Sequence, residues 1–205
     1  MHKARFISVE GIDGAGKSTH LAPMAQWIRA QGHDLVVTRE PGGTALGEAL
    51  REMVLHQPMN ADSEALLMFA ARCEHVTTVI APALQRGAWV LSDRFADASF
   101  AYQGGGRGVA LAHLQQLGLW VLAGLQPDLT FLFDLDPTTA HQRVVQGSPV
   151  LDRFEQERGE FFARVREAYL ARAQAEPQRF HVLDALRTPE VIFAEIKSVL
   201  RARFS

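Results

Sequence analysis

The sequence predicts an α/β protein, a three-layer sandwich in which helices cover both faces of a five-stranded parallel sheet. Two observations carry the prediction. Five short apolar runs alternate with longer segments whose apolar residues recur at helical spacing, the pattern of successive βαβ units. The chain also has 205 residues, close to the size of one compact unit at about 150 per domain. No repeat, low-complexity tract or linker divides it, so a single domain over 1–205 is expected.

The elements follow in order. Phe6–Glu10 reads as the first strand. Leu21, Met24, Trp27 and Ile28 then mark a helix that contains Pro23, and a kink is expected because Pro23 has no N–H for the carbonyl of Thr19. Leu35–Thr38 is the second strand. Leu46, Leu50, Met53 and Val54 mark a helix, and Leu66, Phe69, Val76 and Ile80 place another over Ser63–Ile80. Ala88–Ser92 is the third strand. Tyr102–Gly108 holds four glycines and is expected to be a loop, too glycine-rich for a helix. Leu129–Asp134 and Phe180–Leu183 complete the five strands. The last helix opens at Thr188 with Pro189 in its first turn, followed by Ile192, Ile196, Val199 and Leu200.

Composition excludes several classes. Lys+Arg of 21 against Asp+Glu of 23 leaves a net charge of −2, which argues against a general nucleic-acid binder. Cys73 is the only cysteine, which excludes an internal disulfide and a multi-cysteine metal site and fits a reducing, cytoplasmic compartment. The longest apolar run, Leu117–Leu125, is about half a membrane span and contains two glycines, so no membrane association is expected. The start of the chain lacks the apolar stretch of a signal peptide. The eight histidines make no metal-ligand spacing.

The strongest chemical signal is Gly11-Ile12-Asp13-Gly14-Ala15-Gly16-Lys17-Ser18, a full GxxxxGK[ST] match followed by Thr19. Glycines let successive backbone N–H groups curl round a phosphate, and the helix that follows points its positive end at the same anion. Lys17 is placed to bridge β- and γ-phosphates, and the Ser18 hydroxyl to hold Mg²⁺. It is the only lysine away from the chain ends, the others being Lys3 and Lys197. The fold class thereby sharpens to a P-loop NTPase-type three-layer sandwich that binds a nucleoside triphosphate.

Other strand ends add weaker signals. The third strand runs into Asp93, a Walker-B-like carboxylate suited to Mg²⁺, and then into Arg94, which is able to clamp a phosphate or form a surface ion pair. The second strand leads into Arg39-Glu40-Pro41-Gly42-Gly43, a turn that suggests a ligand-facing loop. Tyr102 and Gln103 beside the second glycine cluster suit either base recognition or a mobile loop. Met68 and Phe69 share a helical face with Arg72, and spacing alone favours core packing with a solvated Arg72. A loop at 146–149, between Arg143 and Arg153, suggests an arginine-bearing lid over about 143–155.

Taken together these residues resemble the thymidylate kinase family, and the resemblance spans nearly the whole chain. It rests on the phosphate loop, Thr38–Thr44, Phe69-Ala70-Ala71-Arg72, Asp93-Arg94-Phe95, Ala101–Gly108 and the lid segment Leu151–Glu157, in the family's order and close to its bacterial branch. The resemblance implies transfer of a phosphoryl group from ATP to dTMP, with Mg²⁺, in a homodimer. It implies that Asp13 meets the acceptor sugar, that Arg72 and Arg94 grip the acceptor phosphate with Arg39 and Glu40 nearby, and that Ser99, Tyr102 and Gln103 read thymine. Many relatives carry a base-stacking Phe where this chain has Met68, with Phe69 beside it. Gly14 stands where eukaryotic-type relatives have an arginine, which leaves Arg143 and Arg153 as lid arginines and favours Arg153. A guanine-specific switch is excluded, because the only asparagine, Asn60, lies outside any Asn-Lys-x-Asp motif.

Overall fold

The computed structural model describes residues 3–147, 152–157 and 159–204. Its five strands are β1 (Phe6–Glu10), β2 (Leu35–Arg39), β3 (Trp89–Asp93), β4 (Leu129–Asp134) and β5 (Phe180–Asp184), all parallel in the order β2-β3-β1-β4-β5. Three strands run one residue beyond their apolar runs. Polar ends pair there in register, Arg39 with Asp93 and Asp134 with Asp184.

The sheet is buried on both faces, as parallel sheets are. Phe6 and Val90 pack with Val76, Ile80 and Ala83 on one side. Ile7, Val9 and Leu91 share a cluster with Met24 and Ile28 of α1 (Lys17–Ala30) and Ile192 and Ile196 of α9 (Pro189–Phe204) on the other. Helix α1 continues through Pro23. The remaining helices are α2 (Ala45–His56), α3 (Ala61–His75), α4 (Ala81–Gln85), α5 (Ala96–Ser99), α6 (Leu111–Leu122), α7 (Pro137–Gly147) and α8 (Gly159–Ala175). Among the described residues, no helix is long and apolar enough to cross a membrane.

Two expectations change. The helix expected over Ser63–Ile80 is α3 followed by a π-helical turn, Val76–Ile80, which runs on into α4. The loop expected at Tyr102–Gly108 is largely a π-helical segment, Phe100–Gly106, continuous with α5. Its glycines serve packing. A Cβ at Gly105 would lie 2.6 Å from Ala168 Cβ and 2.9 Å from the Arg164 carbonyl oxygen, and one at Gly106 would meet the Phe161 ring at 2.4 Å. Helix α8 therefore approaches the segment backbone directly, and Arg164 Nη2 donates to the Gly106 carbonyl at 3.0 Å. Close tertiary packing outweighs glycine's low helix propensity.

Candidate active site

The phosphate loop joins the carboxyl end of β1 to the first turn of α1. Gly14 has φ 80°, and a Cβ there would fall 2.2 Å from the Ala140 carbonyl oxygen, so only glycine fits. Lys17 is buried and folds back on the loop, its Nζ donating to the carbonyls of Gly11 at 3.0 Å and Ile12 at 2.9 Å. Burial, and then the Arg94 charge, lower its ammonium from 10.5 to about 8. The loop opens on a cavity of about 750 Å³ whose lining includes Gly14, Lys17, Ser18, Asp93, Arg143 and Arg187. One oxygen of Asp93 is buried there without a protein partner.

Arg94 joins this cavity to a second one. Its φ of 69° is left-handed, an unusual conformation for a residue with a side chain. The guanidinium is over-determined by its partners. Nη1 donates to the Gly11 carbonyl at 2.8 Å and Tyr169 Oη at 3.1 Å, and Nη2 to Asp13 Oδ1 at 2.6 Å and Tyr102 Oη at 3.0 Å. The Tyr102 hydroxyl in turn donates to Asp13 Oδ2 at 2.9 Å. Burial alone would raise the Asp13 carboxyl, but Arg94 and Lys17 outweigh it and hold it at about 2.

The second cavity, about 80 Å³, is lined by Met68, Ala98, Tyr102, Gln103 and Phe154 on its apolar and amide side, and shares Asp13, Glu40, Arg51 and Arg94 with the first. Met68, not Phe69, borders it. Phe69 lies in the core with the Arg72 guanidinium 4.8 Å above its ring. The solvated Arg72 favoured by spacing is corrected. Its side chain is fully buried, with Nε donating to Glu40 Oε2 at 2.7 Å, Nη1 to Ser99 Oγ at 3.0 Å and Nη2 to the Phe95 carbonyl at 3.1 Å. Three acceptors, one from the loop after β2 and two from the ends of α5, offset the cost of burying the charge. Arg39 is exposed and paired with Glu48 at 2.7 Å. Of the lid arginines, Arg143 lines the larger cavity, whereas Arg153 donates to Glu64 Oε2 at 2.6 Å and to the Val54 carbonyl at 2.9 Å. Residues 148–151 of the expected lid lie outside the described residues.

Several contributors were not singled out in the sequence. Arg51 borders both cavities and donates to the Pro41 carbonyl at 3.1 Å. Glu64 is fully buried beneath Gln103, Arg107 and Arg153. Its spacing four and eight residues before Met68 and Arg72, on one helical face, was the available signal. His75 bonds Glu40 Oε1 through Nδ1 at 2.9 Å, a contact that only the fold creates.

A P-loop over a parallel sheet, opening on a wide cavity and joined through Arg94 to a narrow one, has the form of a small-molecule kinase. The wide cavity has the size for a triphosphate, and the narrow one adjoins it across Asp13, Glu40, Arg51 and Arg94. Comparison with known proteins gives the particular family. The family model described as thymidylate kinase matches residues 9–196. The thymidylate kinase of Thiobacillus denitrificans is 58% identical over 197 residues, covering 96% of each chain. That of Nitrosomonas europaea is 57% identical over 202 residues, covering 98% of this chain and 92% of its own. The crystal structure of thymidylate kinase from Ehrlichia chaffeensis superposes with a TM-score of 0.78 at 34% identity, over 96% of this chain and 98% of that one. This chain belongs to the thymidylate kinase family.

Proposed function

We propose that the protein transfers the γ-phosphoryl of ATP to the 5′-phosphate of dTMP, giving dTDP and ADP. Beyond the family, the observation that carries this is the pair of adjoining cavities sharing Asp13 and Arg94. The donor lies along residues 11–19, with its phosphates on the loop N–H groups and Lys17. The acceptor occupies the narrow cavity. Arg94 holds its phosphate, Asp13 its sugar, and Met68, Tyr102 and Gln103 meet the base, with Ser99, Phe69, Arg72, Arg39 and Glu40 supporting that side.

Mg²⁺ fits the residues present. Ser18 and Asp93, one of whose carboxylate oxygens has no protein partner, border the same cavity. Among the described residues no group of three or more His, Cys, Asp or Glu gathers to hold a metal. That suits an ion which takes few protein ligands and keeps water and phosphate oxygens. Bound there, it would neutralise charge on the β- and γ-phosphates.

The acceptor phosphate is largely ionised at neutral pH, its second pKa being near 6, so no strong general base is needed. Positioning and electrostatics supply most of the rate. Arg94 and Lys17 set the attacking and transferring groups in line. Arg143 faces the donor side, and Arg153 acts from the acceptor side, between the cavity-lining Asp152 and Phe154. We further read the chain as one kinase domain with a lid over about 143–155, working as a homodimer in the cytoplasm. The lone Cys73 and the exposed apolar face of α6 support these last two points.

The test is ADP release with Mg-ATP and each nucleoside monophosphate in turn. dTMP is expected to be strongly preferred over dUMP, UMP, dCMP, AMP and GMP, and another preferred acceptor would overturn the assignment. Lys17→Ala is expected to lower kcat about 100- to 1,000-fold with the fold retained, as for loss of one preorganised charge at a transition state.

A further inference from the structure

Gln103 is bound at one end only. Its Nε2 donates to Glu64 Oε1 at 2.8 Å, while its Oε1 is buried with no partner on a side chain that borders the acceptor cavity. A primary amide offers donors on one side and an acceptor on the other, so the side turned to the cavity decides which base edge it meets. A carboxylate can only accept. Glu64 Oε2 already takes Arg153 Nη2 at 2.6 Å and Arg107 Nε at 3.1 Å, and its Oε1 takes Gln103, with Arg107 Nε farther off at 3.4 Å. Reversing the amide would set two acceptors against each other at that contact. Glu64 thus admits one orientation, with the Gln103 donor turned to Glu64 and its acceptor turned away from it.

We propose that Glu64 is a specificity-determining positioning residue. By holding Nε2 of Gln103 it presents Oε1 to the acceptor base, and so selects a pyrimidine whose N3 carries a proton, thymine, over one whose N3 is a lone pair, cytosine. This rests on Gln103 facing the base, as set out under Proposed function. Glu64 itself is fully buried and does not border the cavity, so it bears on the base through Gln103, while Arg107 and Arg153 share its other oxygen. A pocket group that must pair with a substrate N–H rejects the analogue lacking it far more strongly than apolar contacts do.

The test compares kcat/KM for dTMP and 5-methyl-dCMP, which share sugar, phosphate and methyl group and differ at N3 and the 4-substituent. In Glu64→Gln the new amide oxygen takes the arginines and its NH₂ faces Gln103. Gln103 then turns Oε1 inward and shows a donor to the cavity. The dTMP to 5-methyl-dCMP ratio is expected to fall at least about tenfold. Mere loosening of the contacts to Arg107 and Arg153 would slow both acceptors alike, and an unchanged ratio overturns the proposal. The exchange Glu64→Gln with Gln103→Glu restores an accepting oxygen at the cavity, and should return the ratio to within about threefold of the parent. It also keeps one carboxylate and one amide should the single variant fail to fold, and a ratio that stays low in it overturns the proposal. Gln103→Leu separates the two layers. If it lowers the ratio while Glu64→Gln does not, the base contact stands and the role of Glu64 falls; if it leaves the ratio unchanged, both fall.

Discussion

Lys17 shows how a site stores readiness in a single side chain. Burial and Arg94 hold its ammonium at about 8 in the free loop, and a triphosphate laid against it favours the charged form. Binding of Mg-ATP at pH 8 is therefore expected to take up about half a proton. Calorimetry in buffers of different ionisation enthalpy reads this directly, and zero uptake would refute it. Glu10 works in the opposite sense. It is fully buried at the end of β1, accepting from the Phe95 N–H at 2.7 Å and the Tyr169 hydroxyl at 2.8 Å. Burial, then the nearby Asp97, raise its carboxyl from 4.5 to about 8. A carboxyl raised in the folded state favours its neutral form. Its stabilising contribution is complete below about pH 4.5 and is lost as the pH rises toward 8. In Glu10→Gln, a neutral isostere, the decline of Tm between pH 5 and 8 should flatten, and an undiminished slope would count against this assignment.

The π-helical segment Phe100–Gly106 carries Tyr102 and Gln103, which line the narrower cavity, and α8 holds it in place. Gly105→Ala is expected to lower stability by about 1–3 kcal/mol, because the new methyl meets backbone and Cβ atoms of α8. Gly104→Ala meets only the flexible end of Leu114 at 3.1 Å and should cost less. Urea unfolding midpoints of the two variants check this order. The strands were legible as short apolar runs, because the sheet is buried on both faces, and α1 and α9 from apolar spacing, because each buries a periodic face against the sheet. The π-helical segment was not. Its glycines signal a loop by local propensity, and the reason they tolerate a helix lies in a helix more than fifty residues further along the chain.

The sheet order places the ends of β1, β2 and β3 side by side, so Asp13, Arg39, Glu40, Asp93 and Arg94 meet at one edge, as open α/β sheets arrange their ligands. On another surface α6 exposes Leu119 and Trp120, at 79% and 81%, beside buried Leu114. Two large apolar side chains this open suit an interface between copies of the chain. Leu119→Asp with Trp120→Asp is expected to convert the proposed dimer to a monomer by light scattering. A mass unchanged by the pair would place the interface elsewhere or exclude it.

The order of elements, the phosphate loop and the family were set by local sequence, because glycine spacing and apolar period act over a few residues. The tertiary structure alone decided three things: that Arg72 is buried against Glu40, that Met68 rather than Phe69 borders the narrower cavity, and that the Gln103 amide donates to the buried Glu64. Each is a contact between groups distant in sequence, whose burial or orientation depends on charges and carbonyls that only the folded chain brings within hydrogen-bonding distance.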